Sequence, residues 1–211
     1  MNVVTRAVND ISIGVAIANA PEGLTAFLDP GCSAALWRRE TPPDVQTWLD
    51  ALDPDCLPRG RVILPPSAVS ETVAHLCDLS GMPSGPERDW LEADISALAT
   101  QFSDLLSPRY LRMRLDVVTN NACRKFHIDA ITARLVCTYR GTGTQYGISV
   151  GGHDPEDVHA VATGSPILLR GTLWPAQPAT GLLHRSPPIE GTGETRLVLV
   201  LDPVDAMEDV R

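Results

Sequence analysis

From Leu111 to Val118 the chain reads LRMRLDVV, in which Leu111, Met113, Leu115 and Val117 alternate with Arg112, Arg114 and Asp116. A period of two places all the apolar residues on one face of an extended chain and the charges on the other, so the stretch reads as a half-buried strand. The texture persists downstream. TNNAC has turn chemistry, and KFHID, ITARLVCTY, SPILLRG, GLLH and TRLVLVLD follow as short runs punctuated by Gly, Pro, Asn and Asp. Several short strands at roughly even spacing predict an antiparallel sandwich or barrel rather than a parallel sheet.

Upstream of Pro108 the period changes to that of a helix. Val45, Trp48, Leu49 and Leu52 recur at i, i+3, i+4 and i+7 behind Pro42 and Pro43. Val69, Val73, Leu76 and Leu79 repeat the pattern between Ser67 and Gly81. Leu91, Ile95, Leu98, Phe102 and Leu105 make the longest stripe. These patterns predict helices over 43–53, 67–79 and 86–106, with a short strand Arg61–Leu64 between the first two. The expected organisation is one domain over 1–211: a mainly helical part, 1–108, packed on a β-barrel core, 109–203, that carries any site.

At 211 residues the chain can bury a substantial core, and a hydrophobic content of 44% is ordinary for a globular protein. No apolar run reaches bilayer-spanning length, and the N-terminal stretch has Asp10 where a leader would be basic and apolar. Five cysteines without a CxxC pair do not make a disulfide framework, so a cytoplasmic location is expected. The net charge of −9 argues against nucleic acid and anionic membranes as partners. Its distribution is uneven: residues 1–100 hold six Arg against 14 acids, whereas 101–200 hold nine Arg and one Lys against eight acids. The strand-rich part alone has positive charge to spare, which suits a small anionic ligand.

Within that part, His127-Ile128-Asp129 aims an imidazole and a carboxylate to one face of an extended segment. Such a pair fits either a solvated strand edge or two-thirds of a metal site. His184 follows at the end of GLLH, and His-x-Asp…His has the ligand types and order of a 2-His-1-carboxylate set for Fe(II). Arg196 opens TRLVLVLD on the same strand face as Val198 and Val200, and Arg185 beside His184 points the opposite way. Cys123 with His127 has no second Cys/His pair to complete a zinc site, so Cys123 and Cys137 read as small core residues. His153 and His159 lie in an acidic loop, Trp174 reads as packing, and His75 stands alone on its helix.

The runs CRKFHID (Cys123–Asp129), CTYRGTGT (Cys137–Thr144) and HRSPP (His184–Pro188) resemble a bacterial family of unknown function marked by CRxFHxD, CTYxGxGT and HRSPP. The same runs with the following Arg196 are similar to the Fe(II)/2-oxoglutarate-dependent oxygenases. That second resemblance implies an antiparallel double-stranded β-helix of jelly-roll or cupin type, Fe(2+) held by His127, Asp129 and His184, and 2-oxoglutarate as co-substrate. It also implies an arginine gripping the co-substrate's distal carboxylate, Arg196 first and Arg134 second, since guanidinium matches a carboxylate bidentately. The partners it implies are molecular oxygen and a small, anionic or amino-acid-like substrate. Two alternatives stand beside it: a cupin-like zinc- or iron-binding protein without oxygenase activity, and a facial-triad iron oxidase that uses no 2-oxoglutarate.

Overall fold

The structure, a computed structural model, describes residues 8–10 in backbone, 14–175 and 181–205. Much of the N-terminal stretch read for a leader, and the acidic end beyond 205, lie outside the described residues. In chain order the elements are β1 Val8–Asp10, β2 Val15–Ala18, a 3-10 segment Pro21–Leu28, β3 Ala34–Trp37, α1 Pro43–Ala51, β4 Gly60–Leu64, α2 Val69–Leu79 and α3 Pro86–Leu106. There follow β5 Tyr110–Val118, β6 Ala133–Arg140, β7 Gln145–Ile148, β8 His159–Ala160, β9 Pro166–Arg170, β10 Leu182–Arg185 and β11 Arg196–Val204. None of the helices is long and apolar enough to cross a membrane.

The three helices occupy the expected places. Proline stands at the first turn of α1 and of α3, where its missing N–H is not needed. Ser107 closes α3 in the left-handed region, at φ 51° and ψ 43°. On α3 the stripe Leu91, Ile95, Leu98 and Phe102 is buried. It packs with Leu111, Met113 and Leu115 of β5, and with Leu197, Leu199 and Leu201 of β11, in one core between helices and sheet. Each such side chain taken wholly out of water contributes roughly 1.5–3 kcal/mol.

The expected closed barrel is not what these strands build. They form two separate sheets: eight strands in the order β1-β2-β3-β9-β6-β11-β5-β4, and three in the order β10-β7-β8. All neighbours are antiparallel except β2 and β3, which run parallel. The physical reason lies in the part read as mainly helical. It supplies β3, which pairs with β9, and β4, which pairs with β5. Those pairings take up the edges through which the C-terminal strands of the large sheet would close on the small one. The jelly-roll or cupin-like double-stranded β-helix is therefore replaced by an α+β arrangement of two unclosed sheets.

Alternation along β11 gives the large sheet two different faces. Leu197, Leu199 and Leu201 point to the helices, whereas Val198 and Val200 join Val136, Ile167 and Leu169. These latter residues meet Tyr146 and Leu182 of the small sheet in a second apolar cluster. The space beside that cluster, between the sheets, receives the charged residues considered next.

Candidate metal centre

The segment KFHID, expected as a strand, makes only one bridge, and that bridge builds the site. His127 and His184 exchange two backbone hydrogen bonds, N–H to O at 3.0 and 2.9 Å, as an isolated antiparallel pair at the edge of β10. Directly paired residues carry their side chains to the same side, and the two imidazole centroids lie 4.6 Å apart. His184 is held from its other side by β7, where it faces Tyr146. Arg185 points away, donating to Gln145 Oε1 at 2.8 Å and covering the Phe126 ring at 4.3 Å, which ties β10 to the segment before His127.

Asp129 completes the group. Its Oδ2 is 3.0 Å from His184 Nε2 and its Oδ1 is 3.6 Å from His127 Nε2. One potential ligand atom from each of the three residues lies within 4.8 Å of the others. Exposure is graded, with side chains 34% accessible at His127, 19% at Asp129 and 8% at His184, so the group opens on the His127 side. The backbone carrying Asp129 is pinned by Thr172, whose N–H donates to the Asp129 carbonyl at 2.9 Å, and by Leu173 donating to Ile131 at 3.1 Å. Gly171 makes that approach feasible, since a Cβ there would overlap the Ile131 carbonyl oxygen.

The ionisation of Asp129 and His184 suits a ligand role. Burial pushes the Asp129 carboxyl up, but the His184 hydrogen bond and the Arg134 guanidinium outweigh it and hold the group at about 2. Burial also pushes the His184 imidazole down, so at neutral pH it is the uncharged form that a metal requires. His127 Nδ1 lies 2.8 Å from the Lys125 carbonyl oxygen. A carbonyl only accepts, so Nδ1 donates and Nε2 is the nitrogen turned to the Asp129 side, the orientation that ligating histidines take from their second hydrogen bond. Two imidazoles and one carboxylate converging in this way fit a divalent first-row ion of the Fe(II) type.

The two arginines proposed to grip a carboxylate have different environments. Arg134 donates to Asp129 Oδ2 at 2.6 Å and holds Asp202 through 2.7 and 2.9 Å hydrogen bonds. Both ends of its fork are thus occupied by protein carboxylates, and it steadies Asp129. Arg196 is 1% exposed, yet among the described residues it has no ion pair. Its Nε donates to the Thr142 carbonyl at 2.6 Å and one terminal nitrogen lies 3.3 Å from Thr138 Oγ1. Glu194 stays one step removed, capping the turn at the Thr142 N–H and hydroxyl. Burial lowers the Arg196 guanidinium to about 10, which leaves it charged at neutral pH.

Other residues singled out from the sequence do not enter the group. Cys137 is buried as expected, but Cys123 is exposed and stands in the left-handed region at φ 53°, so it is not a core residue. His153 is exposed, and His159, expected in a loop, belongs to β8 and stacks on Tyr146 at 5.4 Å. Trp174 packs edge-on against Phe27 at 5.0 Å. Asp202, 1% exposed, is the residue that sequence reasoning missed. A signal for it exists: it stands six residues after Arg196 on an alternating strand and therefore shares its face.

Among solved structures the fold is similar to a rice dioxygenase for auxin oxidation, with 13% identity over 90% of this chain and 80% of that one at a TM-score of 0.50. It is also similar to dioxygenase for auxin oxidation 1 from Arabidopsis thaliana in binary complex with 2-oxoglutarate. There the identity is 11%, over 89% of this chain and 87% of that one, again at a TM-score of 0.50. At such identities the likeness is one of fold. No curated protein matches the sequence. A family model matches residues 18–202, nearly the whole of both sheets and all three helices, and the chain accordingly belongs to the family described as protein of unknown function DUF1826.

Proposed function

We propose that the protein is an Fe(II)- and 2-oxoglutarate-dependent oxygenase acting on a small molecule. The observation that carries this reading is the pairing of two features on facing sheets: the His127–Asp129–His184 group, and a buried Arg196 supplied only with neutral acceptors. A guanidinium buried without an anion is costly, and a bound carboxylate removes that cost.

In this reading His127, Asp129 and His184 hold the metal, and bound Fe(II) supplies the chemistry that couples reduction of O₂ to oxidation of a substrate C–H bond, with 2-oxoglutarate leaving as succinate and CO₂. The chain's own residues bind and orient. Arg196 grips the distal carboxylate of the co-substrate, while Thr138 and the Thr142 carbonyl set the plane of its fork. Arg134 holds Asp129 in its ionised form. The apolar cluster around Tyr146, Val198 and Leu182 keeps water from the inner end of the cleft.

Oxygen consumption and succinate release, measured on protein purified anaerobically and loaded with Fe(II), test the proposal. The expected outcome is iron-dependent release of succinate from 2-oxoglutarate at a slow basal rate without substrate. Oxygen consumption that ignores 2-oxoglutarate would instead make this an iron oxidase, with Arg196 gripping the substrate's own carboxylate. No oxygen consumption and no succinate would overturn both.

A further inference from the structure

On the cleft face of the large sheet, Arg114 and Arg61 are incompletely served by the carboxylates around them. Arg112, Arg114 and Asp116 alternate with the core residues of β5 and so face the cleft, as Arg61 does on neighbouring β4. Arg61 and Arg114 are direct partners across the β4–β5 ladder. Like charges placed opposite one another are destabilising in a sheet, and other choices were open at both positions. The acids nearest Arg114 are Asp202 and Asp116. Asp202 lies 3.4 Å from Arg114, but it already accepts two shorter hydrogen bonds from Arg134. The Arg114 side chain is only 17% accessible, and its Nε is buried with no hydrogen-bond partner. Among the described residues Arg61 forms no ion pair. Asp116, on the same face, makes no ion pair with Arg114 among the described residues, so Asp202 alone stands between the Arg114 and Arg134 guanidiniums, and Arg114 also faces Arg61 across the ladder.

We propose that Arg114 and Arg61 anchor an oxoanionic group of the substrate, such as a carboxylate. This deepens the oxygenase reading and rests on it for the word substrate. The location fits that role. Asp202 is shared by Arg114 and Arg134, and Arg134 in turn holds Asp129, so a chain of three ion pairs joins the anchor to Asp129 of the candidate metal centre on the same face. An anion held there sits at a fixed remove from the iron ligands and presents the rest of its molecule to them, which is how remote binding energy orients a reacting bond. The anchor is also distinct from Arg196, which lies at the opposite end of the β11 face from Asp202.

Inorganic sulfate, titrated into metal-free, uniformly ¹⁵N-labelled protein, tests the anchor without requiring iron, 2-oxoglutarate or turnover. The readout is the backbone amide resonance of residue 114, present in every variant, with the Arg114 Nε–H followed as well where the arginine is retained. A saturable shift is expected, weakened about tenfold or more by Arg114→Gln, since a charge-assisted hydrogen bond is lost. Arg61→Gln, an exposed change that leaves folding untouched, is expected to weaken it about threefold. Arg114→Lys keeps charge and fold but loses the fork, and should fall between the two. The Arg196→Gln variant should respond as the native protein does. A sulfate response absent from native protein, or one that Arg196→Gln abolishes while Arg114→Gln and Arg61→Gln leave it unchanged, would overturn the proposal. If sulfate binds as expected but iron-loaded protein consumes no 2-oxoglutarate, the anion site stands and the oxygenase reading falls.

Discussion

On the helix side of the large sheet Arg39 grips Asp94 through hydrogen bonds of 2.5 and 2.6 Å, Tyr139 donates to the same carboxylate at 2.6 Å, and Trp37 covers the guanidinium at 4.5 Å. On the cleft side Arg196 is more deeply buried and has a carbonyl and a hydroxyl for company, while Arg114 shares a carboxylate that Arg134 already holds. Burial penalises a guanidinium on either face, but Arg39 has a full set of protein partners, whereas Arg196 and Arg114 do not. A buried charge that is fully paired holds the fold together, and removing its partner leaves an uncompensated ion. A buried charge that is under-paired lowers stability until a ligand completes it. Under the proposed function, the two faces of the sheet therefore differ in role.

Changes at the proposed metal ligands should have the largest effect on the cleft face and none on the helix side. His184→Ala is expected to abolish stoichiometric Fe(II) binding in anaerobic calorimetry, because a metal ligand and half of the His127–His184 imidazole pair are lost together. The reverse experiment is Asp94→Asn, which strands Arg39. Chemical denaturation should show a loss of about 3–5 kcal/mol, the usual cost of breaking a buried ion pair, with Fe(II) affinity unchanged.

Arg134→Gln sharpens the comparison, since Arg134 is the cleft arginine that is fully paired. Outer-shell partners of metal ligands typically tune affinity by 10–100-fold, and a loss in that range is expected for Fe(II). The acid limb of stability should move as well. Asp129 has its carboxyl depressed from 3.8 to about 2. Its contribution is therefore full above the unfolded value and disappears as pH falls from about 4 toward 2. Without Arg134 the folded value rises, and acid unfolding of the metal-free protein should begin at higher pH. The smallest effect belongs to His153, exposed and outside the group: His153→Ala should leave both Fe(II) affinity and stability unchanged, the latter within about 0.5 kcal/mol.

How much of this was legible beforehand follows from the range of the interactions involved. The helices α1, α2 and α3 were readable because their stripes at 3.6-residue spacing are local. So were β5, whose period of two is unbroken over seven residues, and β11, a short continuous apolar run rich in valine and leucine. The conjunction of His127, Asp129 and His184 was readable from residue types and order, although the single bridge joining His127 to His184 was not. Strands β1, β2 and β3 were missed because VAIA and AALW are short apolar runs without a period, and β8 because it is two residues long. Barrel closure was misjudged for a related reason: which strand caps which edge is a long-range fact, and β3 and β4 come from a part of the chain read as mainly helical. Arg196 ranks ahead of Arg134 by its place on the last strand, but the reason the two environments differ was hidden: Asp129 and Asp202, the latter distant in sequence, both hold Arg134.

Calorimetry of 2-oxoglutarate binding to Fe(II)-loaded protein under anaerobic conditions, native against Arg196→Lys, tests most directly whether an under-paired arginine on the cleft face is a ligand site. The account predicts one 2-oxoglutarate per chain, dependent on the metal. It predicts binding weakened at least tenfold by the lysine, which keeps the charge but not the fork, with Fe(II) affinity intact. Equal 2-oxoglutarate affinity in the two proteins, or no binding to the native one, would contradict it.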